Sequence, residues 1–188
     1  MTEPAFDQDE YADHVDTITA QWERALRASG ADAAVVPAGI AQMYFQDDQA
    51  PTFHPNPHFA RFYPDDNCEQ SILVVRPGNR PKLYFHRPAS YWYQPPTLPD
   101  WAGAAFDVET HSDDEELMKS LVAGVSGYRR IALVGPAESC DLNLPLEAIN
   151  PKALVNRLQF ARGKKTAFEV ARLREATEVG VRGHVAAR

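Results

Sequence analysis

Residues 70–86 read QSILVVRPGNRPKLYFH, and this stretch decides the predicted fold. Residues 70–75 are rich in β-branched and aliphatic side chains, which is typical of a strand. Residues 76–81 hold two prolines, a glycine and an asparagine, and these predict a turn. The apolar pattern returns at residues 82–86, so the whole stretch predicts a β-hairpin.

Apolar segments on both sides extend this hairpin into a sheet surrounded by helices. Short apolar runs have the composition of buried strands, and apolar side chains at spacings of three and four predict helices. Ser112 and Thr166 each precede a glutamate by three residues, which predicts two helix N-caps. The alternation of elements predicts an α/β fold, a mixed β-sheet flanked by helices. Besides the hairpin, the predicted strands are 33–37, 106–110 and 130–135, and the predicted helices are 4–29, 113–123, 138–142, 151–161 and 166–188.

A long proline-rich segment interrupts the regular elements at residues 47–67. Its four prolines exclude a continuous helix or a central strand. A loop of this length within a compact domain is usually functional or mobile. Its aromatic side chains indicate that it packs against the core, and they are Phe53, Phe59, Phe62 and Tyr63.

Length and charge exclude several classes of protein. The 188 residues suffice for one domain with an appendage, and the net charge of −7 argues against a general nucleic-acid-binding protein. Residues 152–188 depart from this acidity with nine basic and three acidic side chains. Two cysteines cannot form a disulfide framework, and no apolar run is long enough to span a membrane. The acidic N-terminus has no secretory signal pattern, so a cytoplasmic location is predicted.

Candidate site residues are few, and no complete catalytic set is present. Asp47 and Asp48 follow a possible strand at 43–45 and stand at the mouth of the long loop, where a carboxylate can hold a substrate cation. Asp65 and Asp66 are interpreted as turn residues.

Two histidines and two cysteines also merit consideration. His54 and His58 are four residues apart, but the prolines between them prevent a shared helix face. A surface or packing role is therefore favoured over a metal site. Cys68 and Cys140 are interpreted as buried, inert thiols.

Residues 91–93 read Tyr-Trp-Tyr among prolines. They form either a packed aromatic cluster, which is the favoured interpretation, or the rim of a ligand site.

The last predicted helix carries apolar residues up to its end, which indicates a missing partner surface and suggests a fragment. The basic residues in and just before this helix favour a solvated face over a nucleic-acid site, since helical ion pairs are available. These basic residues are Lys164, Lys165, Arg172 and Arg174.

Taken in order, several segments resemble the N-terminal region of bacterial Xaa-Pro dipeptidases (prolidases), in the branch that also hydrolyses organophosphates. The resemblance covers about residues 10–188. The segments that carry it are Phe45-Gln46-Asp47-Asp48, Pro51-x-Phe53-x-Pro55-Asn56-Pro57-x-Phe59, Asn67-Cys68, Pro81-Lys82-Leu83-Tyr84-Phe85, Tyr91-Trp92, Asn150-Pro151 and Lys165-Thr166-x-x-Glu169 with Leu173-Arg174-Glu175-Ala176.

The resemblance implies a two-domain enzyme. Residues 1–161 would be a creatinase-type N-terminal domain, and residues 162–188 a linker with the first helix of a pita-bread catalytic domain. Two divalent metal ions, usually manganese, would be bound by Asp, Asp, His, Glu and Glu side chains beyond residue 188. The chain would thus contain no catalytic or metal-binding residue and would be inactive alone.

The resemblance also implies a homodimer in which Asp48 of one subunit borders the substrate pocket of the other. Trp92 would line the same rim, and the substrate would be an Xaa-Pro dipeptide, with neither nucleic acid nor membrane as partner. Two other hypotheses remain open at this point. One is a non-catalytic module that binds peptides or proteins, and the other is nucleic-acid binding through residues 152–188.

Overall fold

The fold is a five-stranded mixed β-sheet between helical layers. The computed structural model describes residues 6–92 and 94–188. The strands are β1 (Ala33–Pro37), β2 (Ile72–Val75), β3 (Lys82–His86), β4 (Asp107–His111) and β5 (Ile131–Leu133). The helices are α1 (Gln8–Ser29), α2 (Pro57–Ala60), α3 (Asp100–Ala105), α4 (Asp114–Val125), α5 (Lys152–Arg162) and α6 (Ala167–Ala186).

The strand order is β4-β3-β2-β1-β5. The predicted hairpin is confirmed, because β2 pairs antiparallel with β3 and places Leu73 opposite Leu83. Strand β2 also pairs antiparallel with β1, whereas β1 and β5 are parallel and so are β3 and β4. The carboxyl ends of β1, β3, β4 and β5 therefore lie at one edge of the sheet. The predicted α/β class with a mixed sheet is confirmed.

Successive residues of the central strands face opposite layers of the core, as the pleat requires. Val36 packs in the layer that contains α1, α3 and α5, whereas Val35 packs in the layer that contains α4. All five residues of β1 are buried, which explains its uninterrupted apolar sequence.

Helix α1 has the predicted apolar face. Its start differs from the prediction, because the Asp7 side chain accepts hydrogen bonds from the N–H groups of Asp9 and Glu10 and thereby caps the helix. Residues 4 and 5 lie outside the described residues. Gly30 ends the helix with φ 78°, a conformation that glycine adopts without strain. The face consists of Tyr11, Val15, Ile18, Trp22 and Leu26, all buried.

Several local predictions were wrong. Residues 43–45 form no strand; the Asp47 N–H donates instead to the Tyr44 carbonyl at 3.1 Å in a turn. Asp113 rather than Ser112 caps α4. The helix predicted at 138–142 is a single 3-10 turn over Ala137–Ser139.

The long proline segment packs against the core as predicted, and it contains a helical turn that the sequence analysis did not identify. Phe59, Phe62 and Tyr63 are buried, and Phe53 packs partly against them. Helix α2 begins after Asn56, whose side-chain oxygen accepts from the His58 N–H at 3.0 Å.

The Asn56 amide also joins two strands to this turn. Its nitrogen donates to the carbonyls of Pro37 at 3.0 Å and Val134 at 2.9 Å. Gly135, at φ 143°, follows directly, and a Cβ atom there would lie 2.3 Å from the Asn56 amide nitrogen. The close approach therefore requires glycine at this position.

Helix α6 is attached through its first turn and exposed beyond it. The predicted capping box is confirmed, with Thr166 and Glu169 each bonding the backbone N–H of the other. Phe168 is buried, whereas residues 173–188 are exposed on every side. Among the residues that the structure describes, no helix combines the length and apolarity that a membrane span requires.

We expect Asn56→Ala to lower the free energy of unfolding by about 2–4 kcal/mol, because two buried carbonyls and one N–H group lose their partner. Asn56→Asp is expected to cost more, since a carboxylate cannot donate to carbonyls. Urea denaturation measures both. Asn67→Ala, an exposed asparagine, is the control, and equal stabilities of Asn56→Ala and this control would contradict the prediction.

We also expect the 188-residue chain to self-associate through the exposed apolar side chains of α6. Sedimentation velocity over a concentration series should show association that Val181→Ser with Val185→Ser weakens. Val122→Ser, at an exposed valine on α4, should leave association unchanged. A monomer at every concentration would refute the prediction.

Candidate functional site

Two loops leave the sheet at the edge where the parallel strands end. The β1 loop comprises residues 38–56 and the β3 loop residues 87–99. Because β1 and β3 are parallel and flank β2, both loops start at this edge. Asp48 lies on the β1 loop and Trp92 on the β3 loop, so the topology places both predicted site residues on one side of the molecule.

The two aspartates of the β1 loop have different environments. The Asp47 carboxylate accepts from the Gln49 N–H at 3.2 Å and supports the turn around Gln46, where φ is 56°. Asp48 is exposed and, within the described part of the chain, makes no hydrogen bond or ion pair. Its carboxylate is therefore available to an external cation, whereas that of Asp47 is used within the loop.

The favoured interpretation of the aromatic cluster as packed is wrong for two of its members. Tyr91 and Trp92 are 92% and 82% exposed, and their rings meet edge to face at 4.9 Å. Tyr93 lies outside the described residues. On the β1 loop, Phe45 is 92% exposed. Exposed rings of this size are accessible to a ligand or a partner.

The stem of the β1 loop is fixed by hydrogen bonds that the sequence analysis did not identify. The Ala38 N–H donates to the Ser71 carbonyl at 2.8 Å, and the Gln70 N–H donates to the Gly39 carbonyl at 2.9 Å. Asn56 holds the other end of the loop. The loop tip is therefore exposed while both of its ends are tied to the sheet.

The stem of the β3 loop is fixed in the same manner. The Ser71 hydroxyl accepts from the His86 N–H at 3.0 Å, and the His86 imidazole lies 2.8 Å from the Asp114 carboxylate. The Arg87 N–H donates to the His111 carbonyl at 2.7 Å. The alternation of side chains along β3 predicts the face of the sheet on which His86 lies. No pattern in the sequence predicts that it contacts Asp114.

The two histidines of the β1 loop and of α2 do not form a joint site. His54 is exposed, and His58 is buried with its ring 5.8 Å from that of Trp22 in an edge-to-face arrangement. Burial, followed by the charges of Arg162 and Arg61, lowers the pKa of His58 to about 4. His58 is thus a neutral packing residue at neutral pH.

Both cysteines are buried and free, as predicted. Burial raises the pKa of the Cys68 thiol well above its usual range, and it raises that of Cys140 to about 12. Since the thiolate is the reactive form, both side chains are inert at neutral pH.

A two-metal centre needs several carboxylate or imidazole ligands around one cavity. Within residues 6–92 and 94–188, no three His, Cys, Asp or Glu side chains come together as such a group. The described residues therefore do not fit the metal centre that the resemblance implies, and no chemical step is assigned to a metal in this chain.

Comparisons with known proteins agree with the sequence resemblance. The family model of the Xaa-Pro dipeptidase N-terminal domain matches residues 9–160. The chain is 36% identical over 178 residues to an Xaa-Pro dipeptidase of Stenotrophomonas maltophilia K279a, which covers 94% of this chain and 39% of that protein. It is 34% identical over 192 residues to the Xaa-Pro dipeptidase of Xanthomonas campestris pv. campestris B100, which covers 100% of this chain and 41% of that protein.

The chain thus spans about 40% of the length of these curated relatives. Among solved structures, aminopeptidase PepP of Pseudomonas aeruginosa is 16% identical with a TM-score of 0.49, covering 86% of this chain and 34% of that one. The family assignment rests on the sequence matches. Because the family model matches residues 9–160, the chain belongs to the family of Xaa-Pro dipeptidase N-terminal domains.

Proposed function

We propose that this chain is the domain of a metal-dependent Xaa-Pro dipeptidase that shapes the substrate pocket and forms a homodimer. The observation that carries the proposal is the pair of loops at the carboxyl edge of the sheet. They hold an unengaged carboxylate, Asp48, and exposed aromatic rings on stems that are fixed by hydrogen bonds. A fixed stem with an exposed tip suits a segment that completes a pocket in a neighbouring subunit.

Asp48 would recognise the free α-ammonium group of the dipeptide. A charge-assisted hydrogen bond between a carboxylate and an ammonium is stronger than a neutral one, so it selects a free N-terminus. A loop that closes the pocket at this position also leaves no room for a residue that precedes Xaa, so longer peptides are excluded. One carboxylate on a loop from the partner subunit therefore restricts the substrate to dipeptides. Trp92 would line the same rim through its exposed indole.

The chemistry would be carried by another part of a longer protein. The curated relatives are about two and a half times as long as this chain, which leaves room for a second domain. We place the two divalent metal ions, manganese by resemblance, in that domain, where they would supply the hydroxide that attacks the Xaa-Pro amide. The assignment to the prolidase branch that also hydrolyses organophosphates and the cytoplasmic location belong to the same proposal.

The exposed aromatic rings also support a second candidate function, a non-catalytic peptide-binding module. The two candidates differ in what the longer protein does with an Xaa-Pro dipeptide, since the module would bind it without turnover. Nucleic-acid binding has less support. Two of the nine basic side chains of residues 152–188 are engaged within their own helices, since Arg162 donates to Gln159 at 3.2 Å and Arg172 to Glu175 at 2.5 Å.

We expect Asp48→Ala in the longer protein to raise KM for an Xaa-Pro dipeptide about 10–100-fold with a much smaller change in kcat, because the lost bond involves a charged group. Steady-state kinetics measures this. Asp66→Ala, an exposed aspartate on another loop, is the control. An unchanged KM would remove Asp48 from the site.

The 188-residue chain alone is expected to show no manganese-dependent hydrolysis of Ala-Pro, although it is folded by circular dichroism. The longer protein, assayed beside it, should hydrolyse the dipeptide. Turnover by the chain at the rate of the longer protein would refute the proposal that another domain carries the chemistry. Binding without turnover in the longer protein would favour the non-catalytic module.

A further inference from the structure

The first turn of α6 is joined to α1 and α2 by a closed hydrogen-bonded circuit. The circuit consists of His14, Arg61, Thr166 and Glu169. The His14 imidazole contacts the Thr166 hydroxyl through Nδ1 and the Arg61 carbonyl through Nε2, both at 2.7 Å. The Arg61 guanidinium donates to both oxygens of Glu169, at 2.9 and 3.2 Å. The capping box of Thr166 and Glu169 closes the circuit.

The partners determine where each proton of the circuit lies. A carbonyl only accepts, so Nε2 of His14 carries the hydrogen that is donated to Arg61. Nδ1 is then the acceptor, and the Thr166 hydroxyl donates to it. The hydroxyl oxygen in turn accepts from the Glu169 N–H at 3.2 Å. Each group is satisfied only when His14 is neutral.

A proton on Nδ1 would break this arrangement. Two donors, Nδ1–H and the hydroxyl, would then face each other, and the hydroxyl would have to turn away from His14. The positive charge would also be buried close to the Arg61 guanidinium, whose side chain is only 6% exposed.

The groups that face His14 favour the neutral form on balance. On its own helix lies the Tyr11 ring, and on α6 lie the Phe168 ring and the Glu169 carboxylate. The pKa of His14 is lowered chiefly by burial and also by Arg61, while the Arg61 carbonyl and Glu169 oppose this shift. The groove beside the circuit adds further positive charges from Arg162, Lys165 and Arg172.

We propose that the circuit is a proton-sensitive latch: the first turn of α6 stays docked on α1 while His14 is neutral, and it is released when His14 gains a proton. The latch fixes the direction in which α6 leaves the domain. Phe168 would remain as an apolar contact, but the capping box would lose its link to α1. The inference stands independently of the dipeptidase proposal, because it rests on contacts within this chain.

The sign of the pH effect follows from the lowered pKa. Between the folded-state pKa and the ordinary value near 6.5, the unfolded chain binds more protons at His14 than the folded chain does. The contribution of the latch is therefore complete above about pH 6.5 and is lost as the pH falls through the folded-state pKa.

Two NMR measurements on the 188-residue chain test the latch. Nitrogen shifts of His14 should show the Nε2–H tautomer at neutral pH. Across the His14 titration, hydrogen-exchange protection of the Thr166 and Glu169 amides, corrected for intrinsic rates, should be lost as His14 gains its proton. The Val35 amide in the central strand should keep its protection.

Variants separate the latch from general acid unfolding. His14→Gln cannot gain a proton, so the pH dependence at Glu169 should disappear, whereas His54→Gln and His58→Gln should retain it. Thr166→Ser keeps the hydroxyl and should behave as the wild type, while Thr166→Val should reduce protection of Glu169 at every pH. Protection that does not change across the His14 titration, or a dependence that persists in His14→Gln, would overturn the proposal. Should His14→Gln fail to fold, the fall in protection across the His14 titration decides: it should persist in Thr166→Ser and disappear in Thr166→Val, and its persistence in Thr166→Val would overturn the proposal.

Discussion

The side-chain amide of Asn56 joins three segments that are far apart in the sequence, namely the end of β1, the residues after β5 and the first turn of α2. All three of its hydrogen bonds go to backbone groups, and the side chain is buried. The proline-rich segment at residues 47–67, which contains the second half of the β1 loop, cannot secure itself by strand pairing, because its four prolines have no N–H to donate. A buried amide that donates twice and accepts once performs that task. This one side chain therefore holds the end of the β1 loop, while backbone hydrogen bonds of Ala38 and Gly39 hold the start of the loop that carries Asp48.

The sequence allowed prediction of the elements that are defined by their own residues. The runs at 33–37 and 82–86 are apolar and bounded by turn residues, and both are strands with the bounds predicted. Helices α2 and α3 were missed because helices of four and six residues have no stable periodic pattern of their own. They form because Phe59 and Trp101 are buried in the core, which is a tertiary effect. The N-cap of α4 lies one residue after the predicted one. Aspartate is as good an N-cap residue as serine, and Asp113 rather than Ser112 takes this position.

The candidate site was predictable in kind but only partly in detail. A carboxylate at the mouth of the loop could be expected, but the turn around Gln46 is what separates a structural Asp47 from an unengaged Asp48. Composition favoured packing for Tyr91 and Trp92, but both lie on the loop between β3 and α3 and are exposed. The hydrogen bond between His14 and Thr166 spans 152 positions, so no local pattern could indicate it. Long-range polar pairs of this kind depend on how helices meet and are invisible to periodicity.

The segment from Asn56 to Arg61 contacts both the end of the β1 loop and the first turn of α6. At its first residue the side chain binds the ends of β1 and β5, and at its last residue both the carbonyl and the guanidinium take part in the circuit that holds α6. Between them lies a single helical turn that is anchored by the burial of Phe59. Because so short and well-packed a segment cannot stretch, the stem of the β1 loop and the start of α6 are set relative to the same few atoms. A displacement of Asn56 or of Arg61 therefore has to be accommodated within α2 or its contacts. The position of the Asp48 loop and the direction of α6 thus both depend on the structure of this segment.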